Sequence, residues 1–228
     1  MASGVLSRRA FALPARPLLR RYVTRFDRNQ NPLDEGGLWI NGGTTGLDWH
    51  DAKSVGGVAH AAALSGIKHR YDDSIAVLDT DFTPDQYAQG MVYRSPGYSP
   101  PSKHEIELLL RFEIRGHSAR GYEVLWGHDG DFAIVRWNGP RGNFTVIAGL
   151  DHPELGGKGT GPGRAVDGDV LRAEIAGNVI RVYKNRGLVF VAPPDATWTT
   201  GQPGLGFWPI SGSVPQRYGW KAFEAGSL

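Results

Sequence analysis

The sequence predicts an all-β protein, a two-sheet antiparallel β-sandwich with a basic N-terminal arm. Within 168–190, apolar and polar side chains alternate with the period of two that a strand with one buried and one solvated face requires. Turn-forming residues at 176–178 and 185–187 divide this stretch into three short strands. The 32 glycines and 15 prolines are spread over the whole chain, as expected for many short strands. No window shows the apolar stripe of a helix. The solvated face of the three strands carries Arg172, Glu174, Arg181 and Tyr183.

Further strands follow from the same alternation, and no linker or internal repeat divides them, which favours one sandwich. The segment 42–53 is predicted to be a loop, as is 95–102. The last strand is expected to close its sheet beside the first. Outside 168–190, the predicted strands are 38–41, 58–62, 74–78, 86–94, 103–115, 122–126, 132–137, 143–149, 205–208 and 218–223.

The longest predicted strand, 103–115, has two distinct faces. One face is expected to carry His104, Ile106, Leu108, Leu110, Phe112 and Ile114. The other is expected to carry Glu105, Glu107, Leu109, Arg111, Glu113 and Arg115.

Residues 1–21 are predicted to form an extended or disordered arm before a single sandwich domain at 22–228. The first 28 residues hold seven arginines and one acid, Asp27, whereas the other 200 hold eighteen basic and twenty-two acidic side chains. We expect the arm to dock on a protein partner or a neighbouring subunit. A cleaved targeting peptide and an undirected tail are the alternatives. The arm residues expected to bind are Arg8, Arg9, Arg16, Arg20 and Arg21.

The composition of the chain limits the cellular compartments and the binding partners that it is expected to have. The twin-arginine pattern at 7–11 is followed by an apolar region that Pro14 interrupts, so no convincing signal peptide is present. No apolar run approaches the ~20 residues of a membrane helix. The chain has no cysteine, which excludes disulfides and thiolate metal sites. The acidic body argues against a nucleic-acid groove. We expect an extracellular protein or a component of a virion surface.

Several segments resemble one known family. They are Gly-Asp-Val-Leu at 168–171, the hairpin at 177–187 and Thr-Gly-Gln-Pro-Gly-Leu-Gly-Phe at 200–207, with 122–124 and 134–139 upstream. Over roughly 22–223, the chain resembles the concanavalin A-like lectin/glucanase (laminin-G-like) jelly-roll family. The resemblance implies a two-sheet jelly roll, sugar binding on a concave sheet or at loop tips, and often a calcium ion. It does not select a function, because the family contains lectins, hydrolases, lyases and structural modules.

An enzymatic site would use Glu105, Glu107, Tyr122 and Arg136. Glu105 and Glu107 point the same way about 6.5–7 Å apart on an ideal strand, within the roughly 5–9.5 Å that glycoside hydrolysis needs. A lyase of this fold would use a Tyr or His base, for which Tyr122 and His104 are available, and an arginine, Arg111 or Arg136, to neutralise a uronate. Glucanases of this fold carry Glu-x-Asp-x-x-Glu, and this chain lacks the third acid. The alternative is that Glu107, Arg111, Glu123 and Arg136 form cross-strand ion pairs.

A glycan-binding site would combine aromatic faces with hydrogen-bonding side chains. Trp49 and Trp198 lie in loop-like, polar contexts and, with Tyr98, are the aromatic residues expected to be exposed. Arg111 and Glu123 are the polar candidates. For metal, Asp129 and Asp131 offer oxygen ligands that suit calcium, although an unliganded turn has the same composition. No cofactor is required, and calcium is compatible with the sequence.

The leading hypothesis is a non-catalytic glycan-binding or assembly module. It would be a displayed surface or virion component, such as a decoration or tail protein, attached through its arm and present as a homo-oligomer or in a larger assembly. One alternative is a small polysaccharide hydrolase or lyase acting in the concave face of the sandwich. Another is a structural capsid or tail protein without a ligand. An open groove at Glu105 and Glu107 would favour the enzyme, and a covered one would argue against it.

Overall fold

The computed structural model describes residues 21–45, 49–65, 71–99, 104–150 (without the side chain of Leu150) and 161–228. These residues form fifteen strands and one short 3-10 helix, Pro215–Arg217. No helix in this part of the chain is long and apolar enough to cross a membrane. The strands are β1 (Arg21–Thr24), β2 (Trp39–Asn41), β3 (His50–Val55), β4 (Val58–Ala61), β5 (Ser74–Leu78), β6 (Gln86–Arg94), β7 (Glu105–Arg115), β8 (Ser118–Gly127), β9 (Phe132–Gly139), β10 (Phe144–Leu150), β11 (Val170–Ala176), β12 (Val179–Lys184), β13 (Gly187–Val191), β14 (Gln202–Trp208) and β15 (Tyr218–Ser227).

The strands form two sheets that pack face to face. Sheet 1 has the order β13-β12-β11-β6-β15-β4-β3, with β1 also paired to β15. Sheet 2 has the order β10-β9-β8-β7-β14-β5, with β2 also paired to β5. Strand β3 pairs with β4 and, in parallel, with β5, so the two sheets are continuous at one side. The all-β sandwich prediction is confirmed, and β3–β5 is a parallel exception to its antiparallel pairing.

The main core fills the space between the sheets. Strand β11 contributes Leu171, Ala173 and Ile175, all fully buried, as the alternation predicts. Opposite them, β7 contributes Ile106 and Leu108, exposed by 1% or less. The expectation that the last strand lies beside the first predicted strand, 38–41, is wrong, because that segment forms β2, which pairs with β5. Strand β15 pairs instead with β1, which the sequence pattern did not reveal.

Strand β7 departs from the predicted alternation in its second half. A bulge shifts its register with β8 between Leu110 and Glu113, and Arg111 adopts a left-handed backbone (φ 46°). A bulge adds one residue and reverses the faces of those that follow. Phe112 therefore lies with Leu109 in a second apolar cluster, not with Leu110 in the main core. The prediction that Phe112 and Ile114 share the face of Ile106 is wrong.

The second apolar cluster lies on the outer face of sheet 2. Trp49 covers this face and packs against Trp137 with ring centroids 4.5 Å apart. The segment 42–53 is thus not a loop throughout, because His50–Val55 forms β3. Buried and half-buried residues alternate along β3, but the buried ones include small and polar residues such as Ala52 and Ser54, which give no hydrophobic signal. Sheet 2 is consequently covered on both faces near this cluster.

Candidate functional site

Three buried acids meet on the outer face of sheet 2. Asp73 precedes β5, Glu107 lies on β7 and Glu123 lies on β8. One carboxylate oxygen from each lies within 4.8 Å of the others. The three residues are 6%, 1% and 3% exposed, respectively. We call these three residues the acidic cluster.

The strand register explains how residues distant in sequence reach this point. Glu123 opposes Leu109 on β7, which places it diagonally beside Glu107 on the same face. On its other side, Glu107 opposes Gly206 of β14, the strand between β7 and β5. A Cβ added at Gly206 would lie only 2.1 Å from Oε2 of Glu107. The missing side chain therefore gives the Glu107 carboxyl room to extend towards Asp73.

Glu123 and Glu107 of the acidic cluster differ in their hydrogen bonding. The indole Nε1 of Trp137 donates a hydrogen bond to Oε2 of Glu123 at 2.6 Å. Both oxygens of Glu107 are buried without a hydrogen-bond partner in the described part of the chain. Burial, followed by repulsion from Glu123, raises the pKa of Glu107 and of Asp73 well above the usual carboxyl range. Three such acids cannot all carry charge here without a counter-charge.

The structure does not assemble the predicted enzymatic quartet. Glu105 and Glu107 lie on the outer face of sheet 2 and are only 4% and 1% exposed. Tyr122 and Arg136 are cross-strand partners on the inner face, because Tyr122 is one residue from Glu123 and successive residues point to opposite faces.

Tyr122 and Arg136 instead fix the segment after β13. The Tyr122 hydroxyl donates to Oδ1 of Asp195 at 2.8 Å, and Arg136 forms an ion pair with the same carboxylate. Arg111 contacts the carboxylate of Asp85 at 3.4 Å. The expected cross-strand network of Glu107, Arg111, Glu123 and Arg136 is therefore also wrong, because both arginines bind acids outside it.

Arg111 joins the two sheets at one end of the sandwich. Its guanidinium donates to the carbonyl oxygens of Pro84 (2.7 Å), Gly177 (2.8 Å) and Trp198 (3.1 Å). The residue is 2% exposed. These bonds give Arg111 a structural position, and its predicted contact with a glycan stays a prediction.

The predicted aromatic residues differ in exposure. Trp49 is 1% exposed, so the expectation that it is exposed is wrong. Trp198 is half-buried, and its Nε1 donates to the carbonyl of Trp137 at 2.8 Å. Tyr98 is also half-buried and accepts a hydrogen bond from the backbone N–H of Val214 at 2.7 Å. Trp49 and Glu123 both contact Trp137 on the outer face of sheet 2, whereas Trp198 and Tyr98 pack against the main core.

Asp129 and Asp131 lie in and beside the tight turn between β8 and β9. The turn is closed by backbone bonds, since the N–H of Gly127 donates to the carbonyl of Asp131 at 2.7 Å. Neither aspartate belongs to a cluster of three or more possible metal ligands among the described residues. The acidic cluster is the group of that kind in the described chain, and the sequence analysis did not bring its three residues together.

An open cleft of about 690 Å³ lies on the outer face of sheet 1. It is formed where β6, β11 and β12 run side by side. The side chains around it are polar or charged, with one apolar and one aromatic residue. The cleft is lined by Gln89, Val170, Arg172, Glu174, Tyr183, Asn185 and Arg186.

Contacts with neighbouring side chains restrain Arg172 in the cleft. The guanidinium carbon of Arg172 lies 3.6 Å from the ring centroid of Tyr87, and its Nε donates to Glu174 at 2.6 Å. The hydroxyl of Tyr87 in turn donates to Glu224 at 2.6 Å. Tyr183 opposes Arg172 across the β11–β12 pair. Arg172, Glu174 and Tyr183 were visible in the sequence as the solvated face of this meander, but only as evidence of the fold.

The sequence matches no family model and no curated protein. Solved structures with similar folds include the carbohydrate-binding module CBM66 from Bacillus subtilis, with a TM-score of 0.51 and 15% identity over 86% of this chain and 96% of that one. The metal-free carbohydrate recognition domain of Emp46p has a TM-score of 0.51 and 10% identity over 91% and 99% of the chains. A Bacillus licheniformis β-glucanase has a TM-score of 0.53 and 8% identity over 92% and 99%.

These similarities define the class of fold. The chain has the concanavalin A-like jelly-roll fold, as its sequence resemblance implied. The structural similarity establishes the architecture, but at identities of 8–15% it does not transfer a ligand or a reaction. The function must therefore be argued from the surfaces of this chain.

Proposed function

We propose that the protein is a non-catalytic glycan-binding module, and that the glycan binds in the open cleft of sheet 1. The observation that carries this proposal is the group of Arg172, Glu174 and Tyr183, which lie together at the cleft. Sugar rings stack on aromatic faces, and their hydroxyls need both donors and acceptors nearby. Tyr183 offers the face, Arg172 the donors and Glu174 the acceptors. The adjacent amides of Gln89 and Asn185 add both kinds of group.

Pre-organisation supports this assignment. Arg172 would lose considerable side-chain entropy on binding if it were free in solution. Its stacking on Tyr87 and its ion pair with Glu174 already restrict it. A ligand therefore meets a fixed donor–acceptor pair on a sheet, not on a loop. Since the cleft is open, it can accept an internal segment of a chain as well as an end.

The burial of the acidic residues argues against hydrolysis on the outer face of sheet 2. A glycoside hydrolase needs two carboxyl groups that flank the bond to be cleaved. Glu105 and Glu107 are covered, and a sugar could reach them only after the overlying residues moved. Trp49 covers a neighbouring part of the same face, where it packs against Trp137, the hydrogen-bond partner of Glu123. Binding without cleavage therefore fits the observed surfaces better.

A glycan array followed by calorimetry on the best ligand tests the proposal. Tyr183→Ala should weaken binding about tenfold, because a lost aromatic contact of roughly 1–1.5 kcal/mol corresponds to that factor. Tyr93→Ala is the matched control, since Tyr93 lies on the same sheet and does not line the cleft. No reducing ends should be released. Absence of any glycan ligand, or equal binding by both variants, would contradict the proposal.

The N-terminal arm is the part of the chain expected from the sequence to attach the protein to a partner. Arg8, Arg9, Arg16 and Arg20 lie outside the described residues. Arg21 belongs to β1, and its side chain pairs with Glu224 at 3.0 Å. We retain the proposal that the arm attaches the protein to a partner or a neighbouring subunit in an extracellular or virion-surface assembly. Intact and native mass of protein from its source would show whether the arm is kept and whether an assembly forms.

A further inference from the structure

We infer that the acidic cluster of Asp73, Glu107 and Glu123 binds a divalent cation, and that the cation is Ca²⁺. The three carboxylates come from three different segments and converge within 4.8 Å on the outer face of sheet 2. The site is separate from the cleft proposed for glycans, which lies on sheet 1. It also differs from the Asp129–Asp131 turn that the sequence indicated.

The surroundings of Glu107 favour a bound cation. Its side chain is 1% exposed, and neither carboxylate oxygen has a hydrogen-bond partner among the described residues. Buried polar groups in folded proteins are nearly always paired. An unpaired buried carboxylate destabilises the folded state strongly, and a bound cation would offset that cost. Glu107 points into the cluster, where a cation would contact it together with the other two acids.

Neighbouring residues hold two acids of the cluster in position. Gly206 leaves the space that the Glu107 carboxyl fills, and a Cβ there would clash at 2.1 Å. On the opposite side, the Trp137 indole holds one oxygen of Glu123 at 2.6 Å. Hydrogen bonds of this kind orient carboxylate ligands in metal sites. Glu107 and Glu123 are thus fixed from both sides of the cluster.

The ligand chemistry selects the type of ion. Carboxylate oxygens without thiolate or imidazole favour hard cations such as Ca²⁺ and Mg²⁺ over Zn²⁺. Ca²⁺ binds oxygen at about 2.3–2.6 Å, so ligands on opposite sides stand up to about 5.2 Å apart. The cluster falls within this span without movement. Mg²⁺, at about 2.0–2.1 Å, would require a tighter octahedral arrangement and retained water.

Terbium luminescence provides a sharp test, because Tb³⁺ replaces Ca²⁺ at oxygen sites and a nearby indole sensitises its emission. Trp137 is hydrogen-bonded to Glu123, so a bound Tb³⁺ should emit on tryptophan excitation. Ca²⁺ should displace it and should raise Tm relative to protein treated with EDTA. Glu107→Gln keeps the size of the side chain and should lower Tb³⁺ affinity at least tenfold. Asp129→Asn, the matched control, should bind as the wild type does.

Several results would overturn the inference. One is wild-type protein that shows no saturable Tb³⁺ or Ca²⁺ binding, even after refolding with Ca²⁺. Another is Glu107→Gln protein that remains folded and binds Tb³⁺ as tightly as the wild type. Loss of binding in Asp129→Asn would place the ion at the turn instead. Displacement by Mg²⁺ at lower concentration than by Ca²⁺ would refute the choice of ion.

Discussion

Replacing Arg111 by methionine should destabilise the fold strongly. Arg111 is a buried cation whose guanidinium donates to the carbonyls of Pro84, Gly177 and Trp198. Methionine keeps much of the apolar stem but has no donor. Three carbonyl oxygens at the junction of the two sheets would then lose their partner. The perturbation tests whether Arg111 holds the sandwich together.

The magnitude follows from these contacts. A buried polar group that loses its partner costs about 1–3 kcal/mol, and water entering at the sandwich edge would lower that cost. The pair with Asp85 adds little, because the side chain of Asp85 is 50% exposed. We expect a loss of about 3–5 kcal/mol in the free energy of unfolding. For a chain of this size, each kcal/mol lowers Tm by about 2–4 °C.

Urea unfolding followed by tryptophan fluorescence measures this loss. Arg115→Met is the matched control, because the Arg115 side chain on the same strand is 74% exposed. The control should change stability by less than about 0.5 kcal/mol. Equal stability of the two variants would refute the structural role. Reduced glycan affinity in a stable Arg111→Met protein would instead support the glycan contact predicted from the sequence.

Three further substitutions test other parts of the structure. Gly206→Ala should cost about 1–3 kcal/mol in urea unfolding, because its Cβ would meet Glu107; wild-type stability would contradict that packing. Burial lowers the pKa of His60 to about 4. As pH falls below 6.5, the unfolded chain binds a proton at this residue and the folded chain does not, so the free energy of unfolding decreases as pH falls. Between pH 7.5 and 5, His60 should lower the free energy of unfolding by about 2 kcal/mol. His60→Gln should remove this part of the pH dependence; an unchanged pH dependence of unfolding would show that His60 is not its source. Tyr122→Phe should cost about 1 kcal/mol through its lost bond to Asp195 and leave glycan binding intact; lost binding would place the ligand near Tyr122.

Local patterns predicted much of the fold. The meander from Val170 to Val191 was readable because alternation and turn residues are properties of neighbouring positions. The bulge at Arg111 could not be predicted, because the carbonyls that this side chain binds lie far away in sequence, at 84, 177 and 198. Strand β3 was missed because Ala52 and Ser54 are buried without being strongly apolar.

The candidate sites depended on non-local strand order. Asp73 and Glu107 meet only because β14 is inserted between β5 and β7 and carries Gly206 at the contact. No local pattern indicates this order. For the cleft, the sequence placed Arg172 and Tyr183 on one solvated face, but the pairing of β6 with β11 was needed to add Tyr87. Residue types were therefore predictable, and their neighbours were not.

Mapping the bound glycan on the protein would show whether it occupies the cleft of sheet 1. We would record amide chemical shifts of ¹⁵N-labelled protein while adding the best glycan from the array. We predict that the shifts concentrate on β6, β11 and β12, around Arg172, Glu174 and Tyr183. Shifts that concentrate instead on β7 and β8, around Glu107 and Glu123, would contradict it and return the search to the outer face of sheet 2.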